Sequence, residues 1–461
     1  MKKSRVRMPQ RLEQALRTVR HAGSAAVRPD SRREVRRALA DREDQFLRLI
    51  KTAVFDYPKS PYLPLLHHVG CTFDDLTALV RRDGIEGALD QLRDQGLYIT
   101  QDEYKGQEPA RRGSATFRFR QAQFRSPLLA TLGLRTDALA RHRAAADQVF
   151  GFRGGATAIW LPPMAGEVSH ALRAAKIGHP FHRWFSQVSV SPFKRPILPK
   201  MELYGYLTVL ALAGVRAPLP RHVPASDPEP VVRWMASALR QGKRVALGTY
   251  AASAARACRW AFEHGISLKG VTIRVGGESV TPAKRNLIEQ SGARCLPSFG
   301  SRETGHASQA CLAPNDADDM HLSKDLWALT TRRRTVPGGT EVDALLFTSV
   351  SPGCHNLLIN LETGDCGIVE RRSCGCPWDE LGYDVHFRQV WSFAKLTVEG
   401  TTIMGETVFR ALEERLPAWW AAGPATTNSP PSSRRTACPS TSSSSTPRWD
   451  RLTSTTCGGR F

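Results

Sequence analysis

Four residues with metal-ligating chemistry fall in one third of the chain. Cys311 is followed ten positions on by His321, and RRSCGCPWDE adds a tight C-x-C at Cys374 and Cys376. Thiolates are soft ligands and imidazole is borderline, so these groups would hold a metal ion if the fold brought them to a point. A C-x-C pair by itself reads equally well as two core or loop cysteines. Just upstream, CLPSFGSRETG forms an apparent turn around Phe299, Gly300 and Glu303. Its carboxylate suits a hard cation such as Mg²⁺ beside phosphates.

The elements that must position these residues can be read from hydrophobic pattern. GVTIRVGGESVTPAKRNLIEQSGARCLPSFGSRETG reads as a strand, a turn at Gly276, Gly277 and Glu278, a helix, a second strand and the acidic turn. Glycines at 276 and 277 allow a flat ring to approach the backbone. The short apolar runs ATAIWLP, KRVALGTY, GVTIRVGG and ARCLPSFG alternate with the helical stretches DPEPVVRWMASALRQ and TPAKRNLIEQSG. That alternation predicts an α/β domain with substantial parallel sheet. VDALLFTSV, CHNLLINLETGD and CGIVERRS then read as strands of a more antiparallel subdomain. From Asp41 to about Leu97 apolar residues recur at helical spacing, which predicts a helical opening segment before the sheets.

Composition bounds the class. The 461 residues carry 64 Lys and Arg against 43 Asp and Glu, a formal charge of +21. Such an excess raises nucleic acid as a partner. However, much of it lies in the first forty residues, with Arg32, Arg33, Arg36 and Arg37, and a solvated basic face explains it more simply, so nucleic acid is not the expected partner. No apolar run approaches the roughly 20 residues of a membrane span, and MKKSRVRMPQRLEQALRTVR lacks the apolar stretch of a secretory signal. The expectation is a cytoplasmic protein. Its ten cysteines then read as a metal site plus buried thiols rather than a disulfide framework. His67, His68, His179 and His182 lack acidic partners at ligand spacing and read as structural or surface residues.

Taken with INLETGD at 359–365, the order of motifs resembles the adenylate-forming superfamily, in particular its phenylacetate-CoA ligase-like, capsule-biosynthesis-related branch. The resemblance spans about residues 45 to 415. It implies that Gly276, Gly277 and Glu278 lie by the adenine, and that Phe299, Gly300 and Glu303 contact nucleotide and Mg²⁺. It also implies that, in the segment Thr363, Gly364 and Asp365, the Asp bonds the ribose hydroxyls. Cys311, His321, Cys374 and Cys376 match the family's structural zinc ligands, a closed set of three thiolates and one imidazole. The implied reaction joins a small carboxylic acid and ATP into an acyl-adenylate, then passes the acyl group to a thiol such as coenzyme A.

The resemblance also divides the chain. Residues 1–40 are a basic helical or frayed extension, and 41–395 a large domain with its helical opening to about 100. A degenerate phosphate-loop region lies at 110–150, residues 396–420 hold the hinge and the start of a small domain, and 421–461 form a disordered tail. The small C-terminal domain is expected to be truncated or absent. The family's Ser/Thr/Gly-rich phosphate loop has no counterpart here beyond Arg111-Arg112-Gly113-Ser114 and Gly154-Gly155. Arg302 stands where the acidic turn carries Ser or Thr. In VWSFAKLTVEG, Gly400 is in register, but Trp391 replaces the hinge Arg and Phe393 and Ala394 replace its acidic pair. No residue matches the family's C-terminal catalytic lysine, and Lys395 reads as an ordinary surface residue. The tail, rich in Ser, Thr and Pro, lacks aliphatic periodicity. A second reading makes it an out-of-frame ending, since GC-rich codons shifted by two nucleotides restore a strand-like run. Two alternative functions therefore stand beside the ligase: a catalytically inactive nucleotide-binding or scaffold relative, and a nucleic-acid-associated protein working through the basic N-terminus.

Overall fold

The structure is a computed structural model that describes residues 31–125, 144–146, 148–150, 155–162, 182–188, 207–208, 211, 218–336, 340–354, 356–393, 396–398 and 401–403. The extension before residue 31, Gly154, His179, Ala394, Lys395, Gly400 and the tail lie outside these.

The chain opens with helices α1 (Ser31–Ala40), α2 (Arg42–Ile50), α3 (Leu63–His68), α4 (Phe73–Asp94) and α5 (Gln101–Lys105). A capping box starts α4: Thr72 Oγ1 accepts from the Asp75 amide at 3.2 Å, and the Asp75 carboxylate accepts from the Thr72 amide at 3.0 Å. Leu76, Val80, Ile85, Ala88, Leu89 and Leu92 line its buried side. Gly84, at φ +74, kinks the helix between them. Hairpin β1 (Ala110–Arg112) and β2 (Ala115–Phe117) follows.

A six-stranded, all-parallel sheet comes next, built from β3 (Ala156–Trp160), β4 (Arg183–Ser186), β5 (Arg221–His222), β6 (Val245–Tyr250), β7 (Val271–Gly276) and β8 (Arg294–Pro297) in the order β5-β4-β3-β6-β7-β8. β3 is buried along its whole length, as expected of a parallel strand covered on both faces. Helices α6 (Glu229–Arg240), α7 (Ala251–Glu263) and α8 (Pro282–Gln290) join it in one core containing Val231, Met235, Cys258, Val271, Ile273 and Ile288.

Beyond a short hairpin, β9 (Gly300–Ser301) with β10 (Gly305–His306), lies a six-stranded antiparallel sheet. Its strands are β11 (Ser308–Ala310), β12 (Met320–Leu322), β13 (Trp327–Thr335), β14 (Glu341–Ser349), β15 (Leu361–Arg371) and β16 (Val385–Ser392), ordered β11-β12-β16-β15-β14-β13. Its apolar face shares a core with the opening helices, through Phe46, Ile50, Leu89, Trp327, Phe347 and Phe387. A last hairpin pairs β17 (Leu396–Val398) with β18 (Thr401–Ile403). The expected α/β class, parallel sheet followed by antiparallel subdomain, is the observed one. Two strands read separately at CHNLLINLETGD and CGIVERRS are one: Gly364, at φ +83, and a register shift on either side let β15 run through Asp365 without ending. Among the described residues no helix is long and apolar enough to cross a membrane.

Candidate metal centre and nucleotide-binding turns

Cys311 follows β11, where its amide donates to the Asp319 carbonyl at 3.1 Å. His321 sits in the middle of β12, fully buried. Cys374 and Cys376 flank Gly375, at φ +68, in the loop between β15 and β16. Asp379 shapes that loop by accepting from Ser373 Oγ at 2.6 Å and from the Gly375 amide at 2.9 Å. One ligand atom from each of Cys311, His321, Cys374 and Cys376 lies within 4.8 Å of all the others.

Two of three known spacings match a tetrahedral ion, and the third is shorter. Zinc–sulfur bonds of about 2.3 Å and zinc–nitrogen bonds of about 2.0 Å give tetrahedral edges of roughly 3.8 Å between sulfurs and roughly 3.6 Å from sulfur to nitrogen. Cys311 Sγ and Cys374 Sγ are 3.7 Å apart, while His321 Nε2 lies 3.6 Å from Cys374 Sγ and 3.1 Å from Cys376 Sγ. His321 Nδ1 donates to the Tyr383 carbonyl at 2.6 Å, which leaves the Nε2 lone pair facing the sulfurs. The hydrogen bond from the Cys311 thiol works first to lower Cys376 below the usual thiol range, against burial. The same bond, with burial, pushes Cys311 up, and burial raises Cys374. Val35 of α1, Ala145, Trp378 and Tyr383 wall the cluster, and only Cys374 among the four is half-exposed. Four ligands with no open position make a staple rather than a catalytic site.

A neighbouring cluster had no signal in sequence spacing. Asp319, fully buried, accepts from His386 Nδ1 at 2.8 Å, from the Asn315 amide at 2.7 Å and from Arg372. Burial works to raise its carboxyl, but the hydrogen bonds and the Arg372 and His386 charges outweigh it and hold the group below the usual range. His386 pairs with His321 across β12 and β16, the rings 4.0 Å apart. A His at an inward position of an alternating strand, VHFRQV, is the one hint the sequence offers.

The two turns and the β15 segment assigned to nucleotide all touch β16. Ser279 Oγ, next to Glu278, donates to the Val390 carbonyl at 2.9 Å. The ring of Phe299 meets Phe387 edge-on at 5.6 Å and stacks on Phe347 at 5.4 Å. Asp365 pairs with Ser392, and the Gly364 carbonyl accepts from the Phe393 amide at 3.1 Å. Glu303 is buried, and its carbonyl accepts from Asn356 Nδ2 at 2.7 Å. Thr363 is buried on the same strand.

Several of these residues have structural duties. A Cβ on Gly277, at φ +77, would stand 2.9 Å from the Tyr250 ring, so a flat ring facing this glycine belongs to the chain itself. A Cβ on Gly276 would stand 2.8 Å from the Ser298 carbonyl, and one on Gly300 2.6 Å from the Gly305 carbonyl. Glu278 accepts from the Ala252 amide in the first turn of α7, where a carboxylate complements the helix dipole. The stretch Arg111–Ser114 is no phosphate cradle. It forms the β1–β2 hairpin, and Arg112 makes a buried two-point pair with Glu103 at 2.9 and 3.0 Å.

No family model matches the chain, and no curated protein matches it. Solved structures similar to it include the amide bond synthetase McbA from Marinactinospora thermotolerans, at 10% identity and TM-score 0.32 over 86% of this chain and 82% of that one. An AMP-forming acyl-CoA synthetase/AMP-acid ligase II-like protein from Dyadobacter fermentans aligns at 12% identity and TM-score 0.26 over 63% and 62%. E. coli MenE, with a bound analogue of OSB-AMS, aligns at 14% identity and TM-score 0.26 over 64% and 51%. Likeness this remote assigns neither a family nor an activity.

Proposed function

We propose that the chain is an acyl-activating protein of the adenylate-forming type, built to bind a nucleotide and a small carboxylic acid, with zinc as a structural staple. The observation that carries this reading is the convergence of Cys311, His321, Cys374 and Cys376. They were picked out by resemblance to the phenylacetate-CoA ligase-like branch, and their ligand atoms all lie within 4.8 Å of one another, with two spacings of 3.7 and 3.6 Å close to the edges of a zinc tetrahedron.

Within this reading Asp365 bonds the ribose hydroxyls, and the backbone at Gly276–Glu278 lies along the adenine. Glu303 holds Mg²⁺, a role in which one carboxylate suffices because the ion takes its other ligands from phosphates and water. Bound Mg²⁺ supplies charge neutralisation at the phosphates. The acceptor is a thiol of the coenzyme A class.

The test is carboxylate-dependent pyrophosphate release by the purified chain. Glu303→Gln and Asp365→Ala should each lower it on the order of 100-fold, the scale of losing one preorganised electrostatic contact. Turnover that is unchanged in both variants places the nucleotide elsewhere.

A second reading, a nucleotide-binding relative without ligase turnover, is favoured by two observations. Arg112 is engaged by Glu103 and so is withdrawn from phosphate, and Trp391 and Phe393 occupy the hinge positions. Saturable ATP or AMP binding with no pyrophosphate release supports it. The nucleic-acid reading through the N-terminus predicts binding that falls steeply with salt.

A further inference from the structure

β16 is interrupted just before the end that meets the segments assigned to nucleotide. Between the pairs Ile368–Arg388 and Cys366–Trp391, β15 uses one residue, Gly367, and β16 uses two, Gln389 and Val390. That is a β-bulge, and its first residue, Gln389, stands at φ +52, a left-handed conformation that costs a residue with a side chain and recurs beside functional sites. A Cβ on Gly367 would lie 2.9 Å from the Arg388 carbonyl and 3.3 Å from Val390 Cγ2, so the bulge closes only over a glycine.

One side chain holds it. Asp318, buried in the loop between β11 and β12, accepts from the Gln389 amide at 2.8 Å on one carboxylate oxygen and from the Val390 amide at 2.7 Å on the other. β12 pairs with β16 only at His386 and Phe387, so at 389 and 390 this carboxylate takes the place of a strand neighbour. The loop is fixed on both sides of Asp318. Arg285 of α8 donates to the Ala317 carbonyl at 2.8 Å, and Asp319 is bonded to Arg372 and His386.

The bulge reaches two of the segments assigned to nucleotide. Ser279, the residue after the Gly276–Glu278 turn, donates to the Val390 carbonyl at 2.9 Å. Past the bulge Ser392 stands opposite Asp365, and its Oγ donates to the Gly364 carbonyl at 3.1 Å. Without the extra residue the strand end would slip by one position, and such a slip turns every side chain to the opposite face.

We infer that Asp318 is a positioning residue for the nucleotide site, which through this bulge sets both the Gly276–Glu278 turn and the partner of Asp365. The inference rests on the nucleotide reading proposed above, in which Asp318 itself touches no ligand.

The experiment is titration calorimetry of AMP into the full chain, with far-UV circular dichroism to show that each variant folds. Asp318→Asn keeps one acceptor and points a donor at the second amide, and it should weaken AMP about tenfold, the scale of one hydrogen bond to a charged group. Ser279→Ala should weaken AMP about threefold, the scale of a neutral hydrogen bond. Adding it to Asp318→Asn should cost nothing further, because the link through Val390 is already displaced. Gln389→Gly, which adopts φ +52 freely, should restore part of the loss in Asp318→Asn. Ile50→Val, a small cavity in the core of the opening helices, lowers stability elsewhere and should leave AMP affinity unchanged. A wild type that does not bind AMP removes the nucleotide reading and this inference with it. AMP bound at full strength by folded Asp318→Asn, an equal loss in Ile50→Val, losses that add in the double variant, or no recovery with Gln389→Gly overturns the positioning role alone. If Asp318→Asn does not fold, Ser279→Ala decides, and unchanged affinity there overturns the inference.

Discussion

Cys311 Sγ and Cys374 Sγ, separated by 63 positions in the chain, meet at 3.7 Å on one side of the His321 imidazole. That distance is not a disulfide's. A sulfur–sulfur bond is about 2.05 Å long, whereas the edge of a zinc–thiolate tetrahedron is about 3.8 Å. Cys376→Ser, which removes one of the three sulfurs, should abolish stoichiometric zinc and lower the melting temperature. Elemental analysis and a thermal scan of the same preparation check both outcomes.

The pair Glu103–Arg112 is buried on both sides and doubly bonded, and Arg112 also lies over the Tyr98 ring at 4.0 Å. Removing one partner leaves the other charge buried and unpaired, which costs about 3–5 kcal/mol. Glu103→Ala should therefore destabilise the fold far more than the double replacement Glu103→Leu with Arg112→Met. Urea unfolding of the three variants measures the difference.

Arg42 joins the opening helices to the antiparallel sheet. It holds Glu86 through two guanidinium bonds and donates to the Lys324 and Trp327 carbonyls. Burial works to raise the Glu86 carboxyl, but the Arg42 charge and hydrogen bonds outweigh it, so the folded state holds this group below its ordinary value of 4.5. A depressed folded value means that the stabilisation is present above the unfolded value and is lost as pH falls below it. Denaturant midpoints should fall as pH drops below about 4.5, and Arg42→Met should flatten that dependence.

Gly300 opens the β9–β10 hairpin that carries Glu303, and any side chain there would strike the Gly305 carbonyl. Gly300→Ala should cost about 1–3 kcal/mol through overpacking and should weaken pyrophosphate release along with it. Gly113→Ala is the comparison, because its added carbon meets nothing within 4 Å and only its φ of +59 is strained. Turnover and chemical denaturation on both variants separate displacement of the turn from backbone strain.

The parallel half of the fold was legible because β6, β7 and β8 are short apolar runs, the last two ended by glycine and proline. The antiparallel half was less so. β13 contains three successive arginines and was not read as a strand, yet Arg332 and Arg334 share one face of it and both bond to buried Glu362. Helix α7, AASAARACRWAFE, buries only alanine, serine and cysteine, so its inward face carries no large aliphatic residue to mark it. The metal cluster was visible only as four letters at suggestive positions. The Asp319–His386 pair was not visible at all, because its members stand 67 positions apart and nothing local marks them as partners.

The metal ligands also bound a long excursion of chain. Between His321 and Cys374, 53 positions apart, lie β13, β14 and β15, half of the antiparallel sheet. With an ion held, those strands can peel away only as a tethered loop whose ends stay within a few ångströms. Closing a free loop of that length costs about 4 kcal/mol of chain entropy, and the tether removes that cost from every reclosure. A zinc staple at this place would set how far the sheet can wander when it opens, and how quickly the strands find their register again.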